Sequence, residues 1–350
     1  MGSTSSSRIS SKRNLAQNHK SLFNRRARHS GSWYSSSASV LDAQLTSFLS
    51  DAAEERKLQN GFVVQNGTRP SSVPRAIVVP HAGYSYSGST AAYSYLALTE
   101  ALQIDRPSIS TIVVLHPSHH VYLDGCAVSG AEYLETPIGN LPVASQLRDE
   151  ILDTGHFSTM EQEVDENEHS GEMQYPFIAK AIYGMKASRP NNTISVLPIM
   201  VGGITPQQEH FYGKILSSFL KRDTVFTVVS SDFCHWGSRF GYTPRGDASK
   251  KQRIFEYIED MDRMGMKHIS MQDPGAFAAY LKTYKNTICG RHPIGVWLNC
   301  VSINREGKGD DDEREILEIE FVKYKQSSQA TSLSDSSVSY ASGIARKVTS

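Results

Sequence analysis

The chain has 350 residues, enough for one large α/β domain or two small ones with a sizeable core, so folding needs no disulfide or metal staple. Its 36 lysines and arginines balance 36 aspartates and glutamates, which argues against a chain built to coat nucleic acid or an acidic membrane. No apolar run approaches the roughly 18 residues of a transmembrane segment. The four cysteines (Cys126, Cys234, Cys289, Cys300) form no CxxC pair, so composition points to a soluble protein of a reducing compartment, cytoplasmic and also nuclear.

Residues 1–28 read as a disordered basic N-terminal arm that is dispensable for folding, since seven cations from Arg8 to Arg28 precede the first acidic residue, Asp42. Two sharper readings compete. The composition fits a mitochondrial transit peptide, and Met1-Gly2-Ser3-Thr4-Ser5-Ser6 matches a myristoylation pattern with basic residues behind it. From Ser39, the spacing of Val40, Leu41, Leu45, Phe48, Leu49 and Ala52 predicts a helix to about Arg56. A Gly/Asn/Ser/Pro loop follows through residue 72.

Apolar, β-rich runs at residues 75–79, 111–115, 193–201 and 224–229 then alternate with helical patterns at 87–99, 143–154, 172–183, 206–221, 248–264 and 274–283. Residues 310–313 read as a solvated acidic turn, 316–323 as a strand and 338–340 as a short one. Strands alternating with helices imply an α/β fold: a single domain over residues 29–343 with a central, mostly parallel sheet flanked by helices. Residues 344–350 are left as a C-terminal tail.

Three of the strands run directly into polar clusters: Pro80-His81-Ala82-Gly83-Tyr84, His116-Pro117-Ser118-His119-His120, and Ser230-Ser231-Asp232-Phe233-Cys234-His235-Trp236-Gly237. In open α/β sheets, ligands bind beyond the carboxyl ends of the strands, so these clusters are expected to share one pocket. Desolvating so many polar groups calls for a metal or a substrate. There is no Walker-type phosphate loop, no GxGxxG after a strand and no GxSxG elbow, which argues against nucleotide-driven and serine-hydrolase mechanisms.

Together with His29-Ser30-Gly31-Ser32-Trp33-Tyr34, Glu168-His169-Ser170, the segment from Asn286 through Cys289-Gly290-Arg291-His292 to Gly295, and Asp335-Ser336-Ser337-Val338-Ser339-Tyr340, these clusters resemble the Memo family from about His29 to Gly343. The resemblance implies a fold similar to the class III extradiol dioxygenases, which hold non-haem iron(II) with two histidines and a glutamate. It also implies a pocket for iron or copper formed by two histidines and a cysteine, carried over by motif to His81, His119 and Cys289. Asp232 and His235 match the acid and histidine lining that pocket, and are the catalytic pair if the chain is an enzyme. The family is further associated with cell motility, redox control and phosphotyrosine peptides. One departure is His116, where the family usually shows glycine.

Two imidazoles and a thiolate favour Cu(I), Zn or Fe over magnesium or calcium. Glu172 is a reserve carboxylate ligand. Alternatively, it joins Glu168 and His169 in capping and ion pairing at the next helix. Cys289 beside Arg291 and His292 also admits a thiol nucleophile. Three functions are open: a metal-binding protein of redox or metal homeostasis and cell-motility signalling; an active iron dioxygenase or other oxidoreductase; and a phosphopeptide-binding adaptor. The adaptor would line its groove with Trp33, Tyr34, Tyr84, Tyr86 and Trp236 and use Arg291 as phosphate partner. Cysteine in place of the dioxygenase glutamate favours the first.

Overall fold

A strand with no polar alternation is stable only where both faces are covered, and the apolar runs of this chain lie at the centre of its main sheet. The computed structural model describes residues 23–59, 72–104, 109–185, 194–246, 252–307 and 314–348. The expectations for residues 1–22, most of the loop before residue 72, the acidic turn at 310–313 and residues 349–350 lie outside them.

The first half of the chain forms β1 (Phe23–Arg25), α1 (Ala38–Gln59), β2 (Ser72–Val79), α2 (Tyr84–Gln103), β3 (Thr111–Pro117), β4 (Cys126–Val128), β5 (Ala131–Leu134), β6 (Leu141–Pro142), α3 (Ser145–Asp153) and β7 (Phe157–Thr159). Three helices come next, α4 (Gln162–Asn167), α5 (His169–Glu172) and α6 (Tyr175–Gly184). The remainder forms β8 (Ser195–Val201), α7 (Pro206–Leu220), β9 (Val225–Ser230), β10 (His235–Gly237), α8 (Ile254–Ser270), α9 (Pro274–Tyr284), α10 (Arg291–Glu306), β11 (Leu317–Gln326) and β12 (Ser336–Val348).

The main sheet runs β10-β12-β2-β9-β3-β8-β4-β7, with β11 paired to β12, and β1, β5 and β6 form a separate small sheet. The central strands β2, β9, β3 and β8 are mutually parallel. Around them β12 is antiparallel to β2 and β11, and β4 is antiparallel to β8. The central part of the sheet is thus parallel, as expected, and antiparallel strands extend it on either side. The physical reason lies in β11 and β12, which are close in sequence and return on each other, a connection that only antiparallel pairing allows. The register of the parallel strands decides where their loops emerge: Val79 pairs with Ser230 and Leu115 with Val229. The carboxyl ends of β2, β3 and β9 are thus level, and the loops after them open at one edge.

Helix α10 did not stand out in the sequence because it is buried nearly all round, from Pro293 through Cys300 to Asn304, and such a helix shows no polar stripe. It lies close against α7: a Cβ on Gly213 would come within 2.4 Å of the Asn299 Cβ and 2.9 Å of the Val296 carbonyl. Among the described residues, no helix is long and apolar enough to cross a membrane.

Both expected boundaries are too narrow. Residues 344–348 belong to β12, and residues 23–28 belong to the fold. Arg25 is only 1% exposed. Its Nε donates to Asp165 Oδ1 at 2.7 Å and its Nη1 to Glu172 Oε2 at 2.7 Å. Its Nη2 donates to the Asp165 and Glu168 carbonyls at 2.8 and 2.9 Å. Composition alone suggested a solvated cation, but a guanidinium whose planar fork meets carboxylates and carbonyls can be buried. Removing one partner of such a network leaves uncompensated charge. Arg25→Ala should lower stability by about 3–5 kcal/mol, and deletion of residues 1–28 should do at least the same. Urea unfolding checks both, and a loss below about 1 kcal/mol would mean that solvent substitutes for the network.

Candidate metal centre

The level strand ends bring His81 (after β2), His119 (after β3) and Asp232 and His235 (after β9) to one edge, as expected of a shared pocket. Helix α5 adds His169, and the loop before α10 adds Cys289. One ligand nitrogen from each of His81, His119 and His169 lies within 4.8 Å of the other two. His81 Nε2 is 3.1 Å from Cys289 Sγ. The His119 and His169 rings stack at 4.5 Å, and Trp33 covers His169 at 4.4 Å.

The orientation of the two leading imidazoles is set from behind. His119 Nδ1 is 2.8 Å from Glu168 Oε1, while its backbone N–H donates to Glu168 Oε2 at 2.6 Å. A carboxylate partner requires Nδ1 to carry its proton, so Nε2 is the atom turned to the centre. His81 Nδ1 is 2.8 Å from Ser230 Oγ. That hydroxyl donates its single proton to the Ser170 carbonyl at 2.7 Å and accepts from Gln174 Nε2 at 2.9 Å. It can therefore only accept from His81, which places the proton on Nδ1 and the lone pair on Nε2.

Charge is governed by the same geometry. Burial pushes His81 well below its ordinary value, and the neighbouring His119 and His169 push the same way. Burial brings His169 down to about 3, against the pull of Glu168. For His119, burial acts downward too, but hydrogen bonds with Cys289 and Glu168 outweigh it and hold the ring up to about 10. Burial would raise Glu168, yet the His119 hydrogen bond and charge keep it below the usual carboxylate range. Burial raises Asp232 and also raises the Cys289 thiol. A raised thiol pKa is the opposite of what an activated nucleophile needs. His119 thus favours its protonated form, placed between the Glu168 carboxylate and the Cys289 thiol.

Two cavities meet here. The larger, of about 690 Å³, is lined by His81, Asp232, His169, Trp33, Tyr86 and, on its far wall, Arg239 and Tyr340. The smaller, of about 380 Å³, is lined by Cys289, Arg291, His292, Ser118 and Phe240. His119, His235 and Phe240 border both. Asp232 Oδ1 accepts the His81 backbone N–H at 2.8 Å, so the acid also steadies a histidine loop.

Several expected residues lie elsewhere. Tyr34 and Tyr84 are buried, with hydroxyls donating to Glu172 Oε1 at 2.8 Å and to the Met173 carbonyl at 2.7 Å. Trp236 is fully buried and its indole N–H donates to the Pro244 carbonyl at 2.9 Å. All three are core residues with internally satisfied polar ends, not groove walls. Glu172 accepts from Arg25, Tyr34 and the His29 backbone and is paired with the His29 ring. It takes the ion-pairing role and, among the described residues, makes no hydrogen bond to His81, His119 or His169. His116 faces neither the centre nor solvent: its Nδ1 is 3.1 Å from Ser170 Oγ and its Nε2 is buried without a partner among the described residues. His169 as a donor and Arg239 as a wall of the larger cavity were not singled out from sequence, and Ser230 and Tyr340 stood in the motifs without a role of their own. The signal for His169 was its place next to Glu168 in a short polar motif.

If Glu168 holds the His119 proton, Glu168→Gln should move the His119 titration midpoint in metal-free protein from about 10 toward 6.5. Histidine-resolved NMR measures this. A midpoint unchanged in the variant would assign the proton to Cys289 instead.

Comparison with known proteins agrees with the motifs. The family described as Memo-like protein matches residues 25–344. Protein MEMO1 of Xenopus laevis is 42% identical over 320 residues, covering 91% of this chain and 96% of that protein. Protein MEMO1 of Homo sapiens is 40% identical over the same shares. Protein memo-1 homolog of Caenorhabditis elegans is 38% identical, covering 91% of this chain and 82% of its own length. The matched span includes every loop that builds the centre, and the chain belongs to the Memo-like family.

Proposed function

We propose that the protein holds iron or copper through His81, His119 and Cys289 and serves redox or metal homeostasis in cell-motility signalling. The observation that carries this reading is the pair of imidazoles whose Nδ1 atoms are committed to Ser230 and Glu168, leaving Nε2 to converge beside the Cys289 sulfur. Outer partners that fix ring and tautomer are the usual support of a metal-binding histidine. The donor set fits the proposed ions: imidazole suits iron, copper and zinc, and thiolate tilts the choice toward Cu(I). His169 stands close enough to serve as a further imidazole donor. The four cysteines are free, in keeping with a cytoplasmic setting.

The protein's own groups would divide the work. Ser230 and Glu168 orient the rings, and the Trp33 and His169 rings cover one side. His119 gives up the proton that Glu168 and Cys289 stabilise, and Cys289 gives up its thiol proton. Bound iron or copper would supply one-electron redox chemistry. A carboxylate-containing facial triad is the usual oxygen-activating set, and the carboxylates here serve as orienting groups, which favours holding the ion over turnover. The larger cavity favours a second reading, an oxidoreductase in which Asp232 or His235 moves a proton on a bound substrate. Its aromatic wall with Arg239 is also the place where a phosphotyrosine peptide would bind.

Three measurements test the reading. Cys289→Ser should weaken Cu(I) binding by tenfold or more, and Fe(II) binding less, while His81→Ala weakens both. Anaerobic chelator competition reads these, and unchanged Cu(I) affinity in Cys289→Ser would remove the sulfur from the ligand set. Because two protons leave on binding, affinity in the parent should rise with pH between about 6 and 8, with protons released into weak buffer. Fe(II)-loaded protein should show little ring cleavage of simple catechols. Stoichiometric oxygen uptake with product, abolished by His81→Ala, would bring the oxidoreductase reading forward.

A further inference from the structure

Behind the centre, α8 carries a carboxylate with no contact to any proposed donor. Asp262 is fully buried, and burial raises its carboxyl to about 6 even though Ser339, Asn286 and Tyr324 hydrogen-bond to it. A charge-bearing group in such a place is costly unless its position is used. Its Oδ1 accepts from the Cys234 backbone N–H at 3.3 Å and from Asn286 Nδ2 at 2.8 Å, and its Oδ2 accepts from Tyr324 Oη at 2.9 Å.

The two partners on Oδ1 belong to the loops that face the centre. Cys234 lies between Asp232 and His235, and Asn286 opens the segment that ends at Cys289. The Asn286 amide has no freedom to turn, because Nδ2 also donates to Tyr280 Oη at 2.7 Å. In front of Asp262 the loops are fastened together: the His235 backbone N–H donates to Thr287 Oγ1 at 2.7 Å, and Thr287 Oγ1 lies 2.9 Å from the His235 carbonyl. At the far end the Gly290 N–H donates to Ser231 Oγ at 3.0 Å. Cys289 hangs between these fixed points, with its sulfur 3.1 Å from His81 Nε2.

We propose that Asp262 is a positioning residue: by tying the Cys234 and Asn286 segments to one carboxylate, it sets the place of the Cys289 sulfur against His81 and so the preference of the centre for a soft ion. The proposal rests on the metal-binding reading, and it makes a separate claim about the thiol in the metal-free chain. Tyr324 touches only Oδ2, so the link between the loops runs through Oδ1.

The test uses the full chain with Asp262→Ala, Asn286→Ala and Tyr324→Phe, since alanine removes the Oδ1 acceptor that asparagine would keep. In metal-free protein, alkylation of Cys289 by iodoacetamide, followed by peptide mass spectrometry, should speed up at least threefold in Asp262→Ala and Asn286→Ala and stay within twofold of the parent in Tyr324→Phe. In anaerobic competition, the first two variants should lose about tenfold in Cu(I) affinity and less than threefold in Fe(II) affinity. In a Cys289→Ser background, Asp262→Ala should have no further effect on Cu(I), since residues that act through one another are not additive. Equal loss for both ions, additive effects with Cys289→Ser, or unchanged alkylation would overturn the proposal and leave Asp262 as a folding residue. If Asp262→Ala does not fold, Asn286→Ala carries the same comparison. If the parent binds neither ion, the metal reading falls while the alkylation contrast still decides the positioning claim.

Discussion

The Glu168 carboxylate accepts three N–H groups: the His119 ring and backbone and the Ser170 backbone, at 2.8, 2.6 and 2.9 Å. It joins the loop after β3 to the start of α5, so the positions of His119 and His169 depend on one another. Its own backbone is held in turn, since the Glu168 carbonyl accepts from Arg25 at 2.9 Å. Arg25 also binds Asp165 and Glu172 on either side. A chain of charge-assisted hydrogen bonds therefore runs from the first described strand to the centre, with each member satisfied by the next.

The surrounding electrostatics show why such support is needed. Gathering three imidazoles, a thiol and an aspartate in a buried edge of the sheet disfavours every charged form among them. His81 and His169 are held neutral and Asp232 is raised toward its protonated form. His119 escapes because Cys289 and Glu168 both hydrogen-bond to it. An arrangement this expensive to desolvate persists because the surrounding core over-determines it, the common pattern when stability is traded for a site.

Much of the architecture was legible in the residues. Uninterrupted apolar runs located β2, β3, β8 and β9, and their polar sequels located the site, because a parallel strand and the loop after it announce themselves by a sharp change in polarity. What stayed hidden has physical causes too. Helix α10 and the 13-residue strand β12 are buried on nearly every side or broken by serine and glycine, so neither shows a period. Arg25 looked like one cation among seven until its carboxylate partners, some 140 residues away, were brought to it by the fold. Tyr34, Tyr84 and Trp236 shared motifs with site residues but are buried in the core, because turns and helix starts send adjacent side chains in different directions.

The two cavities bear on kinetics. His119, His235 and Phe240 stand between a large chamber and a small one, with His81 and His169 facing the first and Cys289 the second. An ion held there would have two exits. A bulky organic molecule filling the large chamber would leave the sulfur side open, so a small competing thiol could still reach the ion and draw it off by stepwise ligand exchange. Residence time would then be set at the small chamber, where Arg291 and His292 stand, and occupancy of the large chamber would leave it nearly unchanged.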